Sequence, residues 1–414
     1  MPAPPHFCRS DNEVAARDFP KRMTIPSTPV SGALVPFSQR KLVALDGVRG
    51  LAIIAVMLTH IALQHVTLSP VLRGTFALGW AGVDLFFVLS GFLITGILLD
   101  TRECRNYFRS FYARRILRIF PLYYGFLIVA LLVFPFILNP DYLPAPSHRW
   151  MYVCYLANWQ TQPQWQILTH FWSLCVEEQF YFVWPLVVLL TGPRRLLPLV
   201  VALEVALLAG RSWWVYHHGP SVVVQYATIT RMDGLLLGAA CAVVVRRFRM
   251  ARQRTGVLPW VAVLFLAAFV ARYHMVAYTA RLAFTESIGY ALLAISFAGF
   301  VMYCVLTDGQ AGWPQRWLRW KPLLLMGKYS YGIYVFHFPI FYLAERFCRR
   351  LPHSIHEAIW FACLLIGFES AASYLVASLS YNYFEKRFLA LKDRFAPVHR
   401  EAPIASTPAL LQVG

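Results

Sequence analysis

The fold turns on LDGVRGLAIIAVMLTH, residues 45–60. This apolar run opens with Asp46 and Arg49 and closes with His60. A helix that crosses a bilayer needs about 20 mostly apolar residues. Ionisable groups inside hydrocarbon cost free energy, so they face a protein interior or a water-filled cavity. The stretch therefore reads as a membrane helix whose three ionisable groups are kept for something other than insertion.

The rest of the chain has the same character. Of its 414 residues 58% are hydrophobic, 16% aromatic and only 14% charged, against about 25% charged in soluble domains. The expected fold class is all-α, a polytopic membrane protein with about ten transmembrane helices. The candidates lie near 42–64, 78–99, 117–138, 169–190, 195–217, 231–246, 257–273, 287–306, 324–346 and 358–381. Charged or polar residues interrupt the fifth and sixth. The aromatic stretch 148–160 is too short to span and reads as an interfacial or re-entrant piece.

Lys and Arg crowd both termini and alternate loops, notably around Arg102–Arg118, Arg246–Arg254 and Arg316–Lys321. The positive-inside rule then places both ends in the cytoplasm, with Arg346–Arg350 as a dissenting loop. It also accounts for the formal charge of +18 without nucleic acid. The expected organisation is a disordered cytoplasmic tail at 1–41, a transmembrane domain at 42–388 and a cytoplasmic tail at 389–414. The polar, proline-rich start lacks the apolar core and cleavage site of a signal peptide. The eight cysteines are scattered without CxxC spacing or a nearby His cluster, so neither zinc nor a disulfide framework is expected, and no metal.

Depth follows from orientation. His60 lies eleven residues beyond Arg49, about 16 Å nearer the outer face and on the same side of the helix, three turns on. A lone intramembrane histidine is as readily a packing group, but sharing a face with an arginine favours chemistry. In THFWSLCVEEQFYFVWP, residues 169–185, the adjacent Glu177 and Glu178 sit in an apolar run. His170, Ser173, Glu177 and Tyr181 follow three-four spacing and form one polar stripe. Such a stripe can glue helices together, yet a carboxylate level with His60 is what orienting a catalytic imidazole requires.

YARRILRIFP, residues 112–121, carries Arg115 and Arg118 on one face. Alone it is an ordinary positive-inside anchor, but arginine forks suit the phosphates of a ligand from the cytoplasm. The second helix adds Asp84 and Ser90, with Gly82 and Gly91 for close packing. Arg231 and Asp233 open the sixth as a structural ion pair, and Ser330, Tyr334 and His337 share a face of the ninth.

Together LDGVRGLAIIAVMLTH, GVDLFFVLSGFLI, RRILRIFPLYY, HFWSLCVEEQFYFVWP and YSYGIYVFHFP resemble, in that order, the motifs of the acyltransferase-3 family of membrane acyltransferases. The likeness runs from about residue 42 to 388. It includes an Arg-x10-His spacing (Arg49, His60), a cytoplasmic RxxR (Arg115, Arg118) and an SLxxE motif (Ser173 to Glu177). The resemblance implies ten helices and transfer of an acyl group from acetyl-CoA or another acyl-CoA to a hydroxyl. The acceptor would be a glycan, a lipid-linked sugar or a small molecule. Some relatives add an extracytoplasmic SGNH hydrolase-like domain, whereas this chain ends soon after its tenth helix.

The resulting expectation is a bacterial inner-membrane O-acyltransferase working within the lipid bilayer. Arg115 and Arg118 hold the phosphates of acyl-CoA, with Arg49 near the pantetheine path. His60 is base or acyl carrier, and Glu177 orients or charges its imidazole. Asp46, Asp84, Ser90, His170, Ser173, Glu178, Tyr181, Arg231, Asp233, Ser330 and His337 contact substrate or support the site. The competing reading is a secondary transporter using the buried charges as a proton or anion path. That reading predicts inverted repeats, and no such internal symmetry is visible.

Overall fold

The structure, a computed structural model, describes residues 42–65, 70–138, 142–160, 167–247, 256–275, 278–348 and 359–395, with residues 350 and 352. The tail expected at 1–41 and most of the one expected at 389–414 lie outside them. Every regular element among the described residues is helical.

Ten long helices follow one another: α1 Val43–His65, α2 Gly82–Thr101, α3 Tyr107–Leu132, α4 (172–191), α5 (193–218), α6 Asp233–Arg247, α7 Val257–Met275, α8 Tyr290–Leu306, α9 Lys321–Cys348 and α10 Ile359–Ser380. Among the described residues seven segments are long and apolar enough to cross a membrane, one of them the 50-residue Thr169–His218 that holds both α4 and α5. The short α6 and α9, with its polar Lys328–Tyr331 stretch, complete the set. The protein is an all-α polytopic membrane protein. The boundaries shift where local chemistry overrides hydropathy. α3 starts ten residues before the expected 117, because the arginine segment is itself helical.

The α4–α5 break shows how sequence sets such an end. Gly192 takes φ 73°, a left-handed conformation that stops the helix, and Pro193 restarts it without needing an N–H partner. Arg102 donates to the Leu189 carbonyl at 3.1 Å, covering one of the acceptors that the helix end leaves open.

Close approaches fix the relative directions. A Cβ on Gly79 or Gly82 would strike the carbonyls of Ala55 and Ala52, so α2 descends antiparallel to α1. Asp84 meets Arg231 and Asp100 meets Arg246, so α2 and α6 run parallel. Ser90 meets Glu177 and Thr95 meets Trp184, while Tyr107 and Tyr112 reach Pro185 and Phe182. Gly50 meets Leu323 as His60 meets His337, so α1, α3 and α9 point one way and α2, α4 and α6 the other. α2 is central, with 72% of its apolar window buried, whereas only 11% of that of α7 is covered and its Trp260, Val263 and Leu264 are exposed on the outside of the bundle.

Small residues let the inner helices touch. On the α2–α6 seam Gly91 lies against the Leu235 carbonyl and Gly238 against that of Val88. Lipid tails are as apolar as leucine, so such backbone contact, rather than hydrophobic burial, is what drives these helices together. Gly91→Leu should force the seam apart at a cost of about 1–3 kcal/mol, lowering the melting temperature in detergent. Gly210→Ala, where an added Cβ meets nothing within 4 Å, should melt as wild type. Equal melting of the two variants would mean the seam is not held by close backbone contact.

Candidate functional site

A cavity of about 220 Å³ opens among α1, α2, α3, α4 and α9. Arg49, Arg115 and Arg118 line it together, and that side of the bundle is called the arginine end here. Its polar lining adds Ser90, Ser173, Glu177, Glu178, Tyr181, Ser330, Tyr331 and Tyr334, facing an apolar wall from α2 that includes Phe86, Leu93 and Ile97. Asp46 holds Arg49 one helical turn away at 2.8 Å. The Arg115 guanidinium sits 5.2 Å above the Tyr181 ring and 5.8 Å from that of Phe111, which fixes its plane. Ser90 donates to the Glu177 carboxylate at 2.6 Å, joining α2 to α4 across the cavity.

His60 is not among the residues lining this cavity. It belongs to a second cluster, with ring centres 5.1 Å from His337, 4.9 Å from Phe338 and 6.4 Å from Phe341. His170, from the turn Thr169–Phe171 just before α4, packs 5.1 Å from His337 and 5.3 Å from Tyr334. Tyr334 links the two places. Its hydroxyl lies 2.6 Å from Ser173 Oγ and donates to the His170 carbonyl at 2.7 Å, while its ring rests 5.5 Å from His337. Contact therefore runs from the cavity through Tyr334 and Ser173 to the histidines.

The tautomers follow from the partners. His60 Nδ1 lies 2.9 Å from the Val56 carbonyl, an acceptor only, so Nδ1 carries the proton and donates. His337 Nδ1 likewise donates to the Tyr334 carbonyl at 2.7 Å. Both rings are left with an unprotonated Nε2, a proton acceptor. The orienting bond of His60 thus comes from its own helix, not from Glu177, whose carboxylate is engaged by Ser90. The expected level of Glu177, beside His60, differs from its place in the structure, where it lines the cavity with Arg49, Arg115 and Arg118 and His60 does not. Gly82 lies beside Ala52, so Ser90, eight residues or about 12 Å down α2, reaches the first turns of α1. Glu177 therefore stands near Arg49 rather than near His60.

The comparisons with known proteins agree with this placement of motifs in a membrane bundle. A family model described as an acyltransferase domain, that of the acyltransferase-3 family, matches residues 42–376. The chain belongs to this acyltransferase family. Similar curated proteins include the peptidoglycan O-acetyltransferase OatA of Listeria monocytogenes, 28% identical over 385 residues, covering 84% of this chain and 56% of that protein. The O-acetyltransferase OatA of Staphylococcus aureus is 26% identical over 374 residues, with 84% and 57% covered. The putative peptidoglycan O-acetyltransferase YrhL of Bacillus subtilis is 28% identical over 382 residues, with 84% and 55% covered. The chain spans a little over half the length of these relatives. No solved structure matches it.

Within this acyltransferase-3 bundle the remaining expected site residues form neither cluster. Asp84 pairs with Arg231 at 3.0 Å, both side chains 3% exposed, and the Arg231 guanidinium lies 3.5 Å from the centre of the Tyr290 ring. Asp233 pairs instead with Arg211 of α5 in a two-point bond of 2.6 and 2.8 Å. The ion pair expected between Arg231 and Asp233 is therefore corrected. Residues two apart at a helix start project to different sides, so each finds its partner on another helix.

Two groups escaped the sequence reading. Arg211 was visible only as a polar interruption of the fifth span. Gln179 donates to Asn158 Oδ1 at 2.8 Å and accepts from Thr228 at 2.6 Å. It thereby clamps the aromatic stretch 148–160 to α4. Leaving Asp84 buried without its cation by Arg231→Met should cost about 3–5 kcal/mol, seen as lost thermal stability in detergent. Adding Asp84→Leu should recover most of the loss. A double variant no better than the single one would mean that packing, not the pair, holds this end.

Proposed function

We propose that the chain is an acyl-CoA-dependent O-acyltransferase of the bacterial inner membrane, with both termini in the cytoplasm. It moves an acetyl group from acetyl-CoA to a hydroxyl of an extracytoplasmic glycan. Peptidoglycan is the favoured acceptor because two of the relatives are named for it. One observation carries the reading: a cavity bearing three arginines is joined, by side-chain contact through Tyr334 and Ser173, to imidazoles with an unprotonated Nε2. Phosphates need the first, and removing a hydroxyl proton needs the second.

The arginine end then faces the cytoplasm. Arg115 and Arg118 take the phosphates of coenzyme A through charge-assisted hydrogen bonds, and Arg49, held by Asp46, stands beside the pantetheine arm. The α2 wall covers the thioester, and Glu177 with Ser90 acts on it or on the acceptor from the cavity side. His60 accepts the hydroxyl proton as the oxygen attacks the thioester carbonyl, the carbon–sulfur bond breaks, and coenzyme A leaves as the thiol. General-base catalysis of this kind contributes typically 10²–10⁴-fold.

His60→Ala should abolish transfer from acetyl-CoA to a soluble peptidoglycan fragment while acetyl-CoA still stabilises the protein against heat. Arg115→Ala with Arg118→Ala should weaken that stabilisation, each lost contact costing about 1.5–3 kcal/mol, and lysines should restore only part. Near-normal transfer by His60→Ala would remove the base from the reading. Unchanged acetyl-CoA binding in the arginine double variant would reduce that pair to topology anchors.

A further inference from the structure

Between α8 and α9 the chain forms a short helix, Trp313–Leu318, whose two faces differ in character. Gln315 and Leu318, three residues apart, make the inner face, each 1% exposed. Gln315 donates to the Cys304 carbonyl at 3.0 Å and to Thr307 Oγ1 at 2.7 Å, which seats the helix on the end of α8. The Leu318 carbonyl lies against Gly47, where no Cβ would fit, and this seats it on the first turns of α1. The outer face has the i, i+3, i+4, i+7 spacing of one helical side. It consists of Trp313, Arg316, Trp317 and Trp320, the last held by a bond from its N–H to the Trp317 carbonyl at 3.0 Å. These four line a shallow groove, and the indoles of Trp313, Trp317 and Trp320 are 76%, 42% and 60% exposed.

The segment joins two membrane helices and touches the start of α1, so it lies at the bilayer surface on the side of Arg49. Tryptophan settles at that boundary because its ring is apolar and its N–H polar. A belt of indoles needs no cation in its middle, yet Arg316 stands there. Among the described residues no carboxylate pairs with it, and Asp308, the acid nearest in sequence, is taken by Arg319 at 2.6 Å. Exposed Lys321 adds a second charge beside the groove. A guanidinium presents a planar fork of donors that matches phosphate oxygens, and a phospholipid carries its phosphate at this depth.

We propose that the groove binds one anionic phospholipid, with its phosphate on Arg316 and the upper part of its acyl chains against the three indoles. Arg316 and Lys321 together favour a headgroup of net negative charge over a choline headgroup, whose own cation they repel. The lipid then clamps the short helix from outside while α8 and α1 hold it from inside. It thereby steadies the start of α1, which carries Asp46 and Arg49.

Native mass spectrometry of the full chain, released from nanodiscs of equal phosphatidylglycerol and phosphatidylcholine, reads which lipid stays bound. Wild type should retain phosphatidylglycerol in preference. Arg316→Gln should lower that retention about fivefold, the effect of one basic residue near an anionic surface, and Arg316→Lys should keep most of it. Trp317→Ala should lower retention of both lipids, and Trp313→Ala serves if that variant does not fold. Arg194→Gln, which removes an exposed arginine at the start of α5 on the same side of the bundle, should change nothing. Equal losses in Arg316→Gln and Arg194→Gln would mean a general basic rim rather than a site. Equal retention of the two lipids by wild type would remove the anionic headgroup. A dimer that Arg316→Gln and Trp317→Ala each break into monomers would give the face to a second copy of the chain instead. None of these outcomes bears on the acyl-transfer reading, which uses no residue of this face.

Discussion

A charge buried deep in hydrocarbon must meet a counter-charge, and the pair Asp84–Arg231, drawn from two parts of the chain, fixes where the rest of this bundle can stand. With both side chains 3% exposed, neither can be moved without stranding the other. The pair pins the start of α2 to the turn before α6, and Arg246 with Asp100 pins the far end. Between the pins the glycines bring the two backbones into contact. α2 has then no freedom to rotate. One face of it is committed to α6, and the other presents Ser90 to Glu177 and an apolar wall to the cavity. Arg211 with Asp233 does the same for α5 and α6.

Legibility in the sequence followed the range of the physics. Hydropathy is local, so each of the ten helices could be read, including the two uncertain ones that α5 and α6 became. The residue types at the site were legible too, because charge in an apolar run is conspicuous wherever it lies. Partnership was not. Arg231 finds Asp84 147 residues away, and nothing at Arg231 announces it, whereas the nearby Asp233 invited the wrong pairing. Depth failed for a related reason. Counting residues from each helix end assumes that all helices enter at one plane, but α2 begins beside the middle of α1.

The polar stripe of α4 illustrates both outcomes. Three-four spacing correctly put Ser173, Glu177 and Tyr181 on one face, and all three line the cavity. His170 shares the spacing but precedes α4, in a tighter turn. Its ring leaves the stripe and joins His60 and His337, which come from opposite ends of the sequence. Each histidine was visible singly, but only the parallel packing of α1 and α9 makes them a cluster.

The separation of arginines from imidazoles has a physical logic of its own. On the proposed reading the guanidiniums meet phosphate, a dianion best held where it keeps part of its hydration. On the same reading the imidazole accepts a proton and must keep its lone pair free, and water or a nearby cation would occupy it or repel the proton. One open cavity could not serve both needs. The Ser173–Tyr334 contact at 2.6 Å stands at the boundary, with its hydroxyls toward the cavity and the Tyr334 ring toward His337. Its short hydrogen bonds to Ser173 and the His170 carbonyl tie α4 and α9 together at that level. The same residue supplies the carbonyl that sets the His337 tautomer. Moving Tyr334 would therefore open the boundary and release the imidazole in one step, so the two compartments are coupled through a single side chain and its own backbone.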